Sequence, residues 1–283
     1  MRIAAKGLID RTKPVSFTFD GKSYSGFHGD TLASALMANG VRLVGRSFKY
    51  HRPRGILTAG PEEPNAMVEV LDGASQSPNT RATVQEIYEG LAAQSQNRWP
   101  SLRYDLLSVN DLAAPFLSAG FYYKTFMWPR AFWEGLYEPL IRRAAGLGRL
   151  KPQNETASYE KAFAFCDLLV IGSGPAGLMA ALTAARAGAD VILAEQDSVM
   201  GGRLLSDGGT LGMPWVDATL AELRALPNVR LMARTSVVGA YDQGTYAALE
   251  RVGLHLPSAP HLPRECFWRI VAGQAILSTG ALE

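Results

Sequence analysis

Leu168-Leu-Val-Ile171, Gly172-Ser-Gly174-Pro-Ala-Gly177 and the alanine-rich Leu178 to Ala187 decide the fold. The apolar run predicts a buried strand, the glycines a tight turn, and the alanine-rich segment a helix stopped by Gly188. Asp190-Val-Ile-Leu-Ala-Glu195 then predicts a second strand. Strand, glycine turn, helix and strand within about 30 residues make a βαβ unit with parallel strands. Leu168 to Ala185 is 18 residues without a charge, as long as a short membrane span. The glycines and Pro175 break it, so a buried strand, turn and helix is the better reading.

The chemistry follows from the same residues. Gly172 permits the turn, Gly174 lets a pyrophosphate approach the backbone, and Gly177 lets the helix pack on the strand. Pro175 and Ala176 open the helix, whose free N–H groups and positive dipole favour phosphate. Glu195, 18 positions after Gly177, can accept two hydrogen bonds from ribose hydroxyls and would repel a 2′-phosphate. That disfavours NADP. Gln196-Asp-Ser-Val-Met-Gly201-Gly202-Arg203 follows. An acidic residue with Gly-Gly six positions on resembles the flavoproteins with two dinucleotide-binding domains. So does Ser278-Thr279-Gly280 after an apolar strand. NAD and FAD both present an adenosine ribose and a pyrophosphate, so these residues leave the two open.

Working outward, Val15-Ser-Phe17-Thr-Phe19, Asp20-Gly21 and Lys22 to Phe27 predict a hairpin. Asp30 or Thr31 caps a short helix, Leu32 to Asn39, which Gly40 stops. Met67 to Leu71 predicts a further strand, closed by Asp72-Gly73. Gly73 to Thr80 reads as a polar linker. Residues 116–137 hold nine aromatics in 22 positions, interrupted by Pro129. They read as filling between domains, a subunit interface or a channel wall. Residues 142–161 read as a second linker. Ala218 to Leu226 predicts a helix; Val229 to Met232, Ser236 to Gly239 and Phe267 to Leu277 predict later strands.

The chain of 283 residues is 47% apolar and 19% charged, which excludes wholesale disorder. Its net charge of +2 implies no polyelectrolyte partner. The basic run Arg46-Ser-Phe-Lys49-Tyr-His51-Arg52-Pro-Arg54 reads as a loop, solvated or docked on an acidic surface, rather than as a nucleic-acid patch. Met1 to Gly7 lacks the apolar core of a signal peptide, and with few cysteines a cytoplasmic location is expected. Cys166 and Cys266, the only two, stand 100 positions apart. That excludes a dithiol reductase pair, and both read as apolar thiols. His28, His51, His255 and His261 show no metal-ligand spacing.

The whole chain resembles the N-terminal part of the alpha subunit of heterotetrameric sarcosine oxidase. The likeness rests on Gly45-Arg-Ser-Phe-Lys-Tyr-His-Arg-Pro-Arg-Gly55, Gly60-Pro-Glu-Glu-Pro-Asn65, Gly120-Phe-Tyr-Tyr-Lys-Thr-Phe-Met-Trp-Pro129, Gly172–Gly177 and Gly239-Ala-Tyr-Asp242. It implies an α/β fold: a Rossmann-like dinucleotide-binding domain over 166–283, preceded by a small α+β β-grasp, ferredoxin-like domain over 1–72. An aromatic connecting segment spans 73–165. Relatives of that small domain carry cluster cysteines in the loop after the helix. Residues 41–66 have none, so no iron–sulfur cluster is expected and the unit becomes a docking module.

The resemblance further implies oxidative demethylation of sarcosine to glycine by a complex. This chain would bind NAD, with FAD the alternative. A flavin-carrying beta subunit and smaller subunits would be its partners. Matched motif to motif, the NAD site falls on Gly172, Gly174, Pro175, Ala176, Gly177, Glu195, Gln196, Gly202, Arg203, Thr279 and Gly280. The family's subunit runs on for hundreds of residues, so the dinucleotide domain is expected to be unfinished at Glu283 and the chain a fragment. Two rival readings are a free-standing FAD-dependent oxidoreductase acting on opines or other secondary amines and a non-catalytic partner module.

Overall fold

The computed structural model describes residues 2–3, 7–72, 75–115, 120, 128–145, 148, 157–206, 212–257 and 261–281. Two compact units emerge, one built mainly from residues 9–156 and one from 157–283.

In the first unit, strands β1 (Asp10–Phe19) and β2 (Lys22–His28) form the expected hairpin, with Phe19 opposite Lys22. Asp20 and Gly21 both have positive φ, 49° and 75°. A two-residue hairpin turn of this hand needs that, and Asp-Gly supplies it. Thr31 caps the helix Leu32–Ala38 in a reciprocal capping box with Ser34. The helix buries Leu32, Ala33, Ala35 and Leu36. Two short strands follow, β3 (Gly45–Arg46) and β4 (Pro53–Arg54), paired antiparallel. Then come β5 (Met67–Asp72), β6 (Ser75–Arg81) and β7 (Leu91–Ser95).

The sheet order is β2-β1-β7-β5-β6, with β7 parallel to β1 and antiparallel to β5. Phe17, Leu32, Leu36, Val68 and Leu91 fill its core. The sheet therefore runs on past Asp72. Most of the segment Gly73 to Thr80, read from its polarity as a linker, belongs to Ser75–Arg81, an edge strand with one partner, where polar side chains meet solvent. Leu91–Ser95 is the central strand, although its alanines and glutamine gave it little strand character.

The basic run is a folded element. The Arg46 guanidinium donates to the carbonyls of Leu102 (2.9 and 2.7 Å) and His51 (3.0 Å). His51 is fully buried, and its Nδ1 lies 2.7 Å from Asp105 Oδ2. Arg52 pairs with Asp111. The run thus docks on residues 102–111 through carbonyls and carboxylates.

Glu63 organises the neighbouring loop. It is 1% exposed, yet its carboxylate accepts N–H bonds from Leu57, Thr58, Asn65 and Ala66 at 2.6–3.0 Å. Burial alone would raise its pKa. The four backbone donors outweigh burial and hold the carboxyl below its usual range. Its stabilisation is therefore complete above the ordinary carboxylate range and is lost as pH falls through the lowered value. Glu63→Gln should lower unfolding stability at pH 7 by about 2 kcal/mol. It should also flatten the acid limb of stability against pH. Denaturation series of both proteins from pH 7 to pH 3 check this, and parallel curves would contradict it.

The second unit holds strands β8 (Tyr159–Ile171), β9 (Val191–Ala194), β10 (Val229–Met232), β11 (Thr235–Tyr241), β12 (Thr245–Arg251) and β13 (Glu265–Leu277). Their order is β10-β9-β8-β13-β12-β11. The first four run parallel, while β12 and β11 pair antiparallel beyond them. All four residues of β9 are buried, as expected of a strand covered on both faces.

The helix Pro175–Arg186 packs Leu178, Ala181, Leu182 and Ala185 on one face, and Gly212–Ala225 adds Val216, Leu220 and Leu223. The uncharged stretch 168–185 is thus a strand, a turn and a helix. No helix among the described residues is long and apolar enough to cross a membrane. β8 begins nine residues before Leu168 and extends through part of the segment read as a linker. Tyr159, Phe163 and Phe165 alternate outward there, so the strand continues beyond its buried portion.

Phe116, Phe121, Tyr122, Tyr123 and Phe126 lie outside the described residues. Trp128 and Phe132 are exposed.

Candidate functional site

The register of the parallel strands assembles the site. Ile171 pairs with Ala194 on one side and with Leu277 on the other, so β8, β9 and β13 end level. The residues that leave these ends are Gly172, Glu195 and Ser278, from parts of the chain 23 and 83 positions apart. β9 and β13 lie on opposite sides of β8, so the chain leaves its central strand at a topological switch point. Ligands of open α/β sheets sit in the crevice outside such strand ends.

Here the crevice is a cleft of about 440 Å³. Gly172, Gly174, Pro175, Ala176, Glu195, Gln196, Gly202, Arg203, Thr279 and Gly280 line it, ten of the eleven residues named from the sequence. Gly177 lies beneath the wall. A Cβ there would sit 1.9 Å from the Gly172 carbonyl oxygen and 2.6 Å from Ser278 Oγ. Gly172, with φ of +100°, is pressed against Ser278 in the same way. Gly174 is different, for a Cβ added there meets no atom within 4 Å. That open face, at the N-cap of a helix with no side-chain cap, is a cradle for a group that needs close backbone approach. Gly202, with φ of +54°, packs on Gly174, so the Gly-Gly pair helps shape the glycine turn.

Glu195 is 7% exposed and held from three sides. Its Oε2 accepts from the Ser173 amide (2.9 Å) and hydroxyl (2.6 Å), and its Oε1 from the Asp197 amide (3.0 Å). A carboxylate has about four acceptor positions, so one remains, on Oε1. Where the sequence reading expected two bonds to ribose, the Ser173 amide and hydroxyl and the Asp197 amide already donate to this carboxylate. Ser173 was not among the residues named, nor were Thr235, Ser236 and Val237, which also line the cleft. Ser173 was legible as the small polar residue between two motif glycines. The other three come from β11, which only the fold brings to this edge.

Burial disfavours the thiolate form of both cysteines. Burial pushes the Cys166 thiol up to about 11 and raises that of Cys266. Among the described residues no cluster of three or more His, Cys, Asp or Glu side chains is placed to hold a metal ion.

The comparisons with known proteins fall on both units. Residues 167–262 match a family described as "FAD dependent oxidoreductase". Residues 12–98 match a family described as "2Fe-2S iron-sulfur cluster binding domain". The chain thus joins a unit of ferredoxin type to a Rossmann-like unit of FAD-oxidoreductase type. The second match corrects the expectation of no iron–sulfur cluster. Counting cysteines tests only the ligand set, whereas the match rests on the pattern of the whole unit. Both cysteines lie outside residues 12–98, so that segment supplies no thiolate of its own, and its side chains do not fit the usual four-thiolate ligand set.

Over its whole length the chain is similar to the N-terminal part of sarcosine oxidase alpha subunits. It is 59% identical to "Sarcosine oxidase subunit alpha" of Rhizobium meliloti, across 100% of this chain and 29% of that relative. It is 36% identical to the protein of the same name from Corynebacterium sp. (strain P-1), across 97% of this chain and 24% of the relative. The chain therefore spans only 24–29% of the length of these curated relatives. L-Proline dehydrogenase from P. horikoshii matches 97% of this chain and 42% of its own, at a TM-score of 0.60 and 20% identity. That likeness shows a shared fold.

Proposed function

We propose that the chain is the dinucleotide-binding N-terminal part of a sarcosine oxidase-type alpha subunit. It works within a complex that oxidatively demethylates sarcosine to glycine. The observation that carries this reading is the 59% identity that runs from end to end of the chain. The relatives' name as a subunit supports a multi-subunit assembly, and the partners proposed are a flavin-carrying beta subunit and smaller subunits. The ligand proposed for the cleft is NAD. FAD is the second reading, favoured by the family match over residues 167–262.

The residues present fit either dinucleotide. Gly174 and the first turn of its helix would take the pyrophosphate. Glu195 would take a ribose hydroxyl, and Thr279-Gly280 would close the cleft from the β13 side. When bound, such a cofactor supplies or accepts hydride. This chain's residues hold its adenosine half and exclude a 2′-phosphate through the Glu195 charge. The aromatic segment and the N-terminal unit are proposed as docking surfaces of the assembly, and the cytoplasm as its location.

Co-expression of the chain with a sarcosine oxidase beta subunit tests the assignment. The expected result is co-purification, with sarcosine-dependent hydrogen peroxide or formaldehyde formed only when the alpha subunit is present. A chain that purifies alone and leaves sarcosine turnover unchanged would overturn it.

A further inference from the structure

Ser173 lies in the glycine turn and is fully buried. Its hydroxyl proton goes to Glu195 Oε2 at 2.6 Å, and its oxygen accepts the Gly201 amide at 3.1 Å. The backbone N–H of the same residue reinforces the bond to Oε2 at 2.9 Å. One side chain therefore ties together the turn after β8, the carboxylate after β9 and the Gly-Gly pair that packs on Gly174. The single hydroxyl proton is already used, so Ser173 has none to give a ligand. Any effect it has on a bound dinucleotide passes through Glu195.

We infer that Ser173 is a positioning residue for ribose recognition. It fixes the Glu195 carboxylate so that one acceptor position, on Oε1, is presented to one hydroxyl of the adenosine ribose. The inference rests on the dinucleotide reading of the cleft. Its physical basis is pre-organisation: a carboxylate already held by three donors accepts the ribose hydroxyl without first losing side-chain freedom. Without the Ser173 hydroxyl, Oε2 would regain an acceptor position and the carboxylate could turn. A second geometry would then compete with the productive one. Selectivity for the hydroxyl should fall before binding of the pyrophosphate does.

The test measures dissociation constants of the full chain for NAD and for its 2′-deoxyadenosine and 3′-deoxyadenosine analogues. If FAD proves to be the dinucleotide held, the corresponding FAD analogues are used. The wild-type chain should prefer the parent dinucleotide over one of the two analogues by about tenfold, the worth of a hydrogen bond to a charged group. Ser173→Ala should bring that ratio close to one. Ser173→Thr keeps the hydroxyl and should keep the ratio, which covers the case in which the alanine variant folds poorly. Glu195→Ala should also abolish the ratio, and adding Ser173→Ala to it should change nothing further.

A merely structural serine would weaken parent and analogues alike and leave the ratio intact, which overturns the inference while the dinucleotide reading stands. A wild-type chain that binds neither NAD nor FAD overturns both.

Discussion

Gly174→Val should leave the chain folded and reduce dinucleotide affinity by at least about 100-fold, roughly 3 kcal/mol. The argument rests on what surrounds that residue. A Cβ at Gly174 meets nothing within 4 Å, so a side chain added there starts in open space and not against a packed neighbour. Its φ is −65°, an ordinary value for any residue, so the backbone is not strained either. The added methyls would fill the cradle before the helix Pro175–Arg186, where the pyrophosphate must approach the N–H groups of the first turn. The loss should therefore appear in binding and leave the unfolding transition in place. Isothermal titration of both proteins with NAD and FAD, beside their thermal unfolding curves, checks this. Retained affinity would remove the pyrophosphate from this turn.

Gly177→Ala should do the opposite. Three positions on, a Cβ would stand 1.9 Å from the carbonyl oxygen of Gly172 and 3.0 Å from its carbonyl carbon. These are backbone atoms, so no side chain can swing aside to make room. Ser278 Oγ, 2.6 Å from the same point, shares its one proton between the carbonyls of Ile171 and Gly172. The clash would push the helix off β8 and break that bridge between β8 and β13. Overpacking a close contact costs about 3 kcal/mol, and a rigid backbone on one side places this case at or above that figure. Denaturant unfolding of the second unit should show the loss directly, with dinucleotide binding falling as a consequence. A variant as stable as the wild type would mean that helix and strand are not in contact here. The two glycines of one motif thus separate cleanly, one kept for the fold and the other for the ligand.

Much of this was legible in the sequence, for identifiable reasons. Glycine is the residue whose requirement is most local. The turn at Gly172, the stop at Gly188 and the Asp20-Gly21 hairpin therefore stand where they were expected, all with positive φ at the glycine. Elements that depend on distant partners were harder to read. Leu91–Ser95 lies between β1 and β5 through pairing with distant strands, and no pattern inside five residues reveals it. β12 was missed because its polar ends mask the buried Ala247 and Ala248.

The site divides in the same way. The glycines and Glu195 could be named from spacing. The hold of Ser173 on Glu195 depends on the level ends of β8 and β9, which is a property of register. The N-terminal unit shows the reverse error. Its ferredoxin-like fold was expected, but its cysteine count was read as excluding an iron–sulfur cluster, and the family match over residues 12–98 corrects that exclusion. The long motifs at 45–55 and 60–65 gain a structural meaning here. His51 and Glu63 are buried polar anchors of two adjoining loops, which explains why their surroundings are so particular.

The central claim is that the cleft at the ends of β8, β9 and β13 holds the adenosine and pyrophosphate half of a dinucleotide. A calorimetric titration of the purified chain with NAD, and separately with FAD, tests it most directly. The account predicts saturable binding of one of them at one site per chain, lost in Gly174→Val and at least tenfold weaker for NADP when the ligand is NAD. Binding of neither, or binding that Gly174→Val leaves unchanged, would contradict it.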